Sequence, residues 1–216
     1  MKIFLLVEGN VVMTELLQKI SPELKTFGYK KKGSNFWKVE NDFYRIINFQ
    51  KGLHGGKYYF INVGIHPIGM PQLISNRLLI VEQPKENECI IRQRVEQIIE
   101  SKEMNAFKEG LVSIENERAT ENFIKIIPEI EKWSLQYGTF ERLIGKSEKE
   151  IHSLLNVSPI LKKKAFAFLQ FFCEIKLNNK ERANKAFDKY KKEDVDGLNF
   201  GELDNYLVSL IEKIYL

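Results

Sequence analysis

Between Tyr58 and His66 the odd positions Tyr59, Ile61, Val63 and Ile65 are all apolar, while the even positions include Asn62 and Gly64. Strict alternation puts four apolar residues on one side of a strand, so this stretch has one face toward a core and one face away from it. Two runs of related character precede it, Asn35–Val39 and Phe43–Lys51, joined by the polar turn Glu40-Asn41-Asp42 and followed by Gly52-Leu53-His54-Gly55-Gly56. Connections this short cannot hold parallel crossovers, so the strands form an antiparallel meander.

The register follows from what each alternative would bury. With Asn48 opposite Asn62, the residues Phe43, Ile47 and Phe49 join Tyr59, Ile61, Val63 and Ile65 on the core face. A slip of one residue would mix Asn48 and Gln50 into that core, at about 2 kcal/mol or more for each unpaired amide. The opposite face then carries Tyr44, Ile46, Asn48, Gln50, Tyr58, Phe60, Asn62 and Gly64. Glu88–Val95 reads as a fourth strand that adds Arg92 and Arg94 to this polar face if it joins in phase; a helix continuing through Val95, Ile98 and Ile99 is the alternative.

Elsewhere the apolar period is helical. Leu16, Leu17, Ile20, Leu24 and Phe27 stripe a segment that ends at Gly28, with Pro22 expected to kink it or split it in two. From about Thr120 onward everything reads as helix. Phe123, Ile126, Ile127, Ile130 and Trp133 form one stripe, broken or begun at Pro128. Ser147 with Glu150 makes a capping-box pattern, Ser158-Pro159 opens a helix that is apolar nearly all round from Ala165 to Phe172, and Asn199 with Glu202 caps a last helix striped from Leu203 to Ile214. The expected fold is α+β: an N-terminal helix, an antiparallel meander of about four strands over residues 1–115, and a helical bundle over 116–216 packed on it. A chain of 216 residues with 44% apolar side chains supports one such core with an appendage.

The chemistry-bearing residues form no catalytic constellation. His54, His66 and His152 lack metal-ligand spacing, and Cys89 and Cys173 have neither a zinc spacing nor a sequence context that activates a thiol. Asp194-Val195-Asp196-Gly197 resembles the middle of a calcium loop, but counting outward puts Lys192 and Leu203 where carboxylates are required, so a helix-ending turn at Gly197 is expected instead. No metal, no cofactor and no catalytic residue is assigned. The opening Ile3-Phe4-Leu5-Leu6-Val7 run stops at Glu8, and with no span of ~20 apolar residues a cytoplasmic chain without a membrane partner is expected. The net charge of +4 conceals two basic segments, +5 from Glu23 to Lys57 and +7 from Lys162 to Lys192.

One ordered set of motifs stands out. Leu24-Lys25-Thr26-Phe27-Gly28-Tyr29-Lys30-Lys31-Lys32-Gly33 is followed by Asn48-Phe49-Gln50-Lys51, by Phe60-Ile61-Asn62-Val63-Gly64 and by Cys89-Ile90-Ile91-Arg92-Gln93-Arg94. In this order the chain resembles the bacterial family catalogued as domain of unknown function 4304, over roughly residues 12–100. The resemblance implies an α+β domain of unassigned activity and brings no catalytic residues. Related small bacterial domains that act as immunity proteins beside toxins supply an analogy.

Lys31, Lys32, Trp37, Tyr44, Asn48, Gln50, Asn62, Arg92 and Arg94 are therefore the candidate binding residues. Arginines supply forked donors, aromatic rings supply flat area, and amides supply donors and acceptors together. The first expectation is a non-catalytic module that binds a protein, toxin neutralisation being one form of it. The second is a nucleic-acid-binding module that uses Lys30, Lys31, Lys32, Trp37, Arg92 and Arg94, with Tyr44 and Tyr58 as stacking platforms. The third is an enzyme for an anionic small molecule carried by Arg92, Arg94, Asn48 and His66.

Overall fold

The computed structural model of the protein describes residues 2–52, 58–99, 112–113 and 119–213. The loop expected at Gly52–Gly56, with its His54, falls mostly outside these residues, as does Ile214. Helix α1 spans Lys2–Thr26. It ends where Gly28, at φ +85°, lets its own N–H donate to Lys25 O at 2.9 Å and the Tyr29 N–H donate to Leu24 O at 3.0 Å, the paired bonds of a Schellman cap. Pro22 does not split α1. It removes one backbone donor, and the fully enclosed Ile20 and Leu24 on either side hold the helix against the core.

The sheet consists of β1 (Lys30–Lys32), β2 (Asn35–Glu40), β3 (Phe43–Lys51), β4 (Tyr58–Pro67) and β5 (Ile91–Arg94), in that spatial order and antiparallel throughout, with β6 (Val112–Ser113) pairing beside Tyr58 and Tyr59 of β4. Lys30–Lys32 form the edge strand, and the turn that follows is at Gly33-Ser34 with Gly33 at φ +62°. Three exposed lysines on a three-residue edge discourage further strands from adding there. The β2–β3 hairpin turns on Asn41 and Asp42, both at positive φ. The 88–95 segment is extended at Ile91–Arg94 and not helical; 3₁₀ turns at Glu86–Glu88 and Val95–Gln97 flank it.

The register is the one the amides require: Asn48 faces Asn62, and β5 joins in phase with Arg94 beside Asn62 and Arg92 beside Gly64. The core face holds one residue that the alternation left out. Arg45 shares the parity of Phe43 and Ile47 and is 0% exposed. Its partner across β2, Lys38, is also buried, and together they meet carboxylates: Arg45 Nη1 lies 2.5 Å from Glu40, and the Lys38 ammonium pairs with Glu131, which also accepts from the Tyr29 hydroxyl at 2.6 Å. Buried cations survive only when paired, and Glu131 comes from a helix nearly a hundred residues further on.

That helix, α2 (Ala119–Tyr137), runs unbroken through Pro128. Its Phe123, Ile126, Ile127 and Ile130 pack with Leu16, Leu17, Ile20 and Leu24 of α1 onto Ile47, Phe49, Ile61 and Val63. At the other end of the same face Phe43, Ile65 and Ile91 join a second core built with α3 (Phe140–Ile144), α4 (Glu148–Leu154), α5 (Lys162–Lys176), α6 (Lys180–Lys192) and α7 (Gly201–Lys213). α5 is enclosed from Lys164 to Leu169 and again from Phe171 to Glu174, as its all-round apolarity demands. Ser147 caps α4 by accepting from the Glu150 N–H, and Asn199 accepts from Gly201 N–H at the start of α7. Ser158 makes no capping bond; a 3₁₀ turn at Pro159–Leu161 leads into α5. Gly197, at φ +77°, sits in the α6–α7 connection and does not end a helix.

Both cores lie on the odd-residue face of β3 and β4. No even-position apolar residue of these strands belongs to either. The helical part therefore leaves the polar face to the chain that returns from β4 to β5.

Candidate functional site

Two rows of side chains cross that polar face. Lys32, Asn35, Asn48, Asn62 and Arg94 stand in register on five successive strands, and the neighbouring row is Lys30, Trp37, Ile46, Gly64 and Arg92. Each row begins and ends on a cation. The asparagines form a polarised ladder: Asn48 Nδ2 donates to Asn35 Oδ1 at 2.9 Å, and Asn62 Nδ2 donates to Asn48 Oδ1 at 3.4 Å and to Gln50 Oε1 at 3.1 Å. Asn62 is 0% exposed and its Oδ1 has no partner, so one acceptor of a buried amide is left over at the β5 end.

An open groove of about 510 Å³ lies on this face, lined by Ser34, Asn48, Gln50, Glu86, Asn87 and Arg92 among others. Its far wall is the Glu86–Glu88 turn, and Gly64 explains why the turn sits so close. A Cβ at Gly64 would come within 2.7 Å of Cys89 Sγ and 3.3 Å of the Glu86 backbone. The close approach brings Glu86 to Arg92, Oε1 to Nη2 at 3.3 Å. Arg94 lies 4.3 Å over the Phe60 ring and 3.7 Å from Glu96, while Lys30 lies over Trp37 at 5.6 Å.

Asn48, Gln50, Asn62, Arg92 and Arg94 thus come together, with Lys32 and Trp37 at the β1 side. Lys31 does not join them: it pairs with core-facing Phe36 and has the opposite parity. Tyr44 is on the right face but four residues along β3 from Asn48, roughly 13 Å away, beside His66. The side chain of Tyr58 lies outside the described residues. His66, considered for acid–base work, has both ring nitrogens engaged by backbone, Nε2 with Met70 O at 3.0 Å and Nδ1 with the Ile90 N–H at 3.2 Å. Burial lowers its pKa to about 4, so it is neutral and structural. Burial likewise pushes the thiols of Cys89 and Cys173 up, away from the reactive range. Among the described residues no group of His, Cys, Asp or Glu is arranged to hold a metal, and no helix is long and apolar enough to cross a membrane.

Asn35, Glu86 and Gly64 complete the site and were not among the sequence candidates. Asn35 opened a strand and its partner was hidden until β2 and β3 were registered. Glu86 sat in a stretch without periodicity, so no signal placed it opposite Arg92.

What emerges is an α+β protein whose meander sheet turns an amide-and-arginine face away from its cores. The family model of the domain of unknown function DUF4304 matches residues 20–137, and the chain belongs to that family. The match runs past the strand where the motif resemblance stops and takes in the whole of α2, the helix that supplies Glu131. No curated protein and no solved structure matches the chain. The motifs that carry the resemblance converge: Asn48 and Gln50, Phe60, Asn62 and Gly64, and Arg92 and Arg94 all belong to the polar face, and Cys89 packs on Gly64.

Proposed function

We propose that this protein is a binding module that receives an extended, polar and partly acidic segment of another protein on the polar face of its sheet. The observation that carries the reading is the registered row Lys32–Asn35–Asn48–Asn62–Arg94, in which three amides are bracketed by cations. Asn62 is enclosed and holds the ladder in place, while the accessible amides of Asn35 and of Gln50, which lines the groove, offer hydrogen bonds to a peptide backbone, and the flanking cations favour Asp and Glu at the ends of the segment. Neutralisation of a toxin is the narrower form of this reading. A nucleic-acid ligand is less well served, because Glu86 beside Arg92 and Glu96 beside Arg94 would repel a chain that carries a phosphate at every unit, whereas a partly acidic segment needs negative charge only at its ends.

Selection of a displayed random dodecapeptide library on the immobilised protein tests this. The expected result is enrichment of sequences with acidic residues around an amide-bearing centre, lost for Asn48→Ala with Arg92→Ala. A dT20 oligonucleotide that binds at low salt with a steep salt dependence, or a library with no enrichment on folded protein, overturns it.

A further inference from the structure

The helical part contains a second feature that the sheet face does not use. Of the +7 segment seen in the sequence, Arg182, Lys185 and Lys189 recur at intervals of three and four along α6, which places them on one side of the helix. They line a groove of about 190 Å³ between α5 and α6, together with Gln170, Ala186 and Glu174. Glu174 is the anomaly. It is 6% exposed, makes no ion pair within 4.0 Å among the described residues, and its Oε2 has no hydrogen-bond partner.

A buried carboxylate without a donor is costly, and burial raises the Glu174 pKa in spite of the Arg182 charge that works to lower it. Lys185 is largely occupied, since it pairs with Glu181 at 2.6 Å on the same helix. Among the described residues Arg182 and Lys189 form no ion pair within 4.0 Å, although the Arg182 charge is felt by Glu174 and Glu181, and both line the groove together with the carboxylate. The site therefore lacks two things at once: an anion for the guanidinium and ammonium at the rim, and a hydrogen-bond donor for the carboxylate at the floor. An inorganic anion such as hydrogen phosphate carries any O–H donor on the same phosphorus as its charge, so a donor that reaches Glu174 brings two negative groups together. A cation supplies only the second and is repelled by α6. A zwitterion supplies both but leaves the excess positive charge of the rim uncompensated.

We propose that this groove binds a small phosphomonoester carrying free hydroxyl groups, a sugar phosphate in chemical class. The phosphate sits on Arg182 and Lys189, and a hydroxyl one sugar ring away donates to the Glu174 carboxylate. The forked Arg182 suits a phosphate better than a third lysine would. The groove, about 190 Å³, has room for a single phosphorylated ring.

Isothermal titration with ribose 5-phosphate, ribose and inorganic phosphate as separate probes tests the inference. The expected result is saturable binding of ribose 5-phosphate, about tenfold or more tighter than inorganic phosphate, which is the size of one well-made hydrogen bond to a charged group. Glu174→Ala should reduce ribose 5-phosphate to the level of inorganic phosphate, while Arg182→Ala should weaken both. Circular dichroism melts of each variant separate loss of binding from loss of fold. Glu174→Ala removes an unsatisfied group, so it should melt no lower than the parent protein. Equal binding of ribose 5-phosphate and inorganic phosphate, indifference to Glu174→Ala in a folded variant, or no saturable binding of either anion overturns the proposal. None of these outcomes bears on the sheet face.

Discussion

His66 shows how one residue can look chemical in sequence and prove structural in the fold. Its imidazole ties the end of β4 to Met70 and Ile90, accepting from one backbone N–H and engaging one carbonyl. The consequence is a stability that depends on pH. The folded-state pKa is lowered to about 4, while an unfolded histidine titrates near ~6.5. Between those values the unfolded chain binds the extra proton, so stability falls as pH drops below ~6.5, by about 1.4 kcal/mol per unit, and this contribution is flat above that pH. Urea midpoints at pH 7 and pH 5 should differ by the corresponding amount in the parent protein, and His66→Gln should lose that part of the difference. An unchanged slope in a folded His66→Gln variant would show that the imidazole is protonated as easily in the fold as out of it. Arg45 gives the converse lesson: the apolar alternation passed over it although it shares the parity of Phe43 and Ile47, and no local signal announced that Lys38, Glu40, Tyr29 and Glu131 would surround it. Glu131 reaches the cluster from a separate helix, and such pairings are settled by tertiary packing.

Among the elements, β3 and β4 were the most legible. Their bounds and register follow from alternation alone, because a slip would bury Asn48 and Gln50, and β5 joined in the phase that its arginines indicate. β1 was not legible, since three consecutive lysines carry no apolar period, and its pairing with Asn35–Trp37 depends on the Gly28 and Gly33 turns. The Glu86–Glu88 turn was equally silent. Its docking on β4 depends on Gly64, which makes a sharp prediction. A methyl group at this position meets Cys89 Sγ and the Glu86 backbone, and overpacking of this kind costs about 1–3 kcal/mol. Gly64→Ala should lower the melting temperature and pull Glu86 off Arg92, altering peptide selection by the polar face. A variant that melts and selects like the parent protein would mean that the turn is not a fixed wall of the groove.

On the scale of the whole molecule the chain divides its labour by face. The odd side of β3 and β4 is taken up by α1, α2 and the C-terminal helices, and the even side carries the chain that returns from β4 to β5, with the groove between Asn48 and Arg92 open beside it. This explains why the fold class could be read from periodicity while the partner could not. Periodicity reports which side is buried, and the identity of a ligand depends on groups that the sequence scatters between Asn35 and Arg94 and the sheet gathers into two rows. The even face either meets a polypeptide or it does not, and side-chain NMR resolves that directly. With a peptide recovered from the library selection titrated into labelled protein, the account predicts that the Nδ2 protons of Asn35 and Asn48, the Nε2 protons of Gln50 and the Nε proton of Arg92 shift together and saturate. Shifts confined to the helices, or to the β1 edge with the asparagine ladder unmoved, would contradict it.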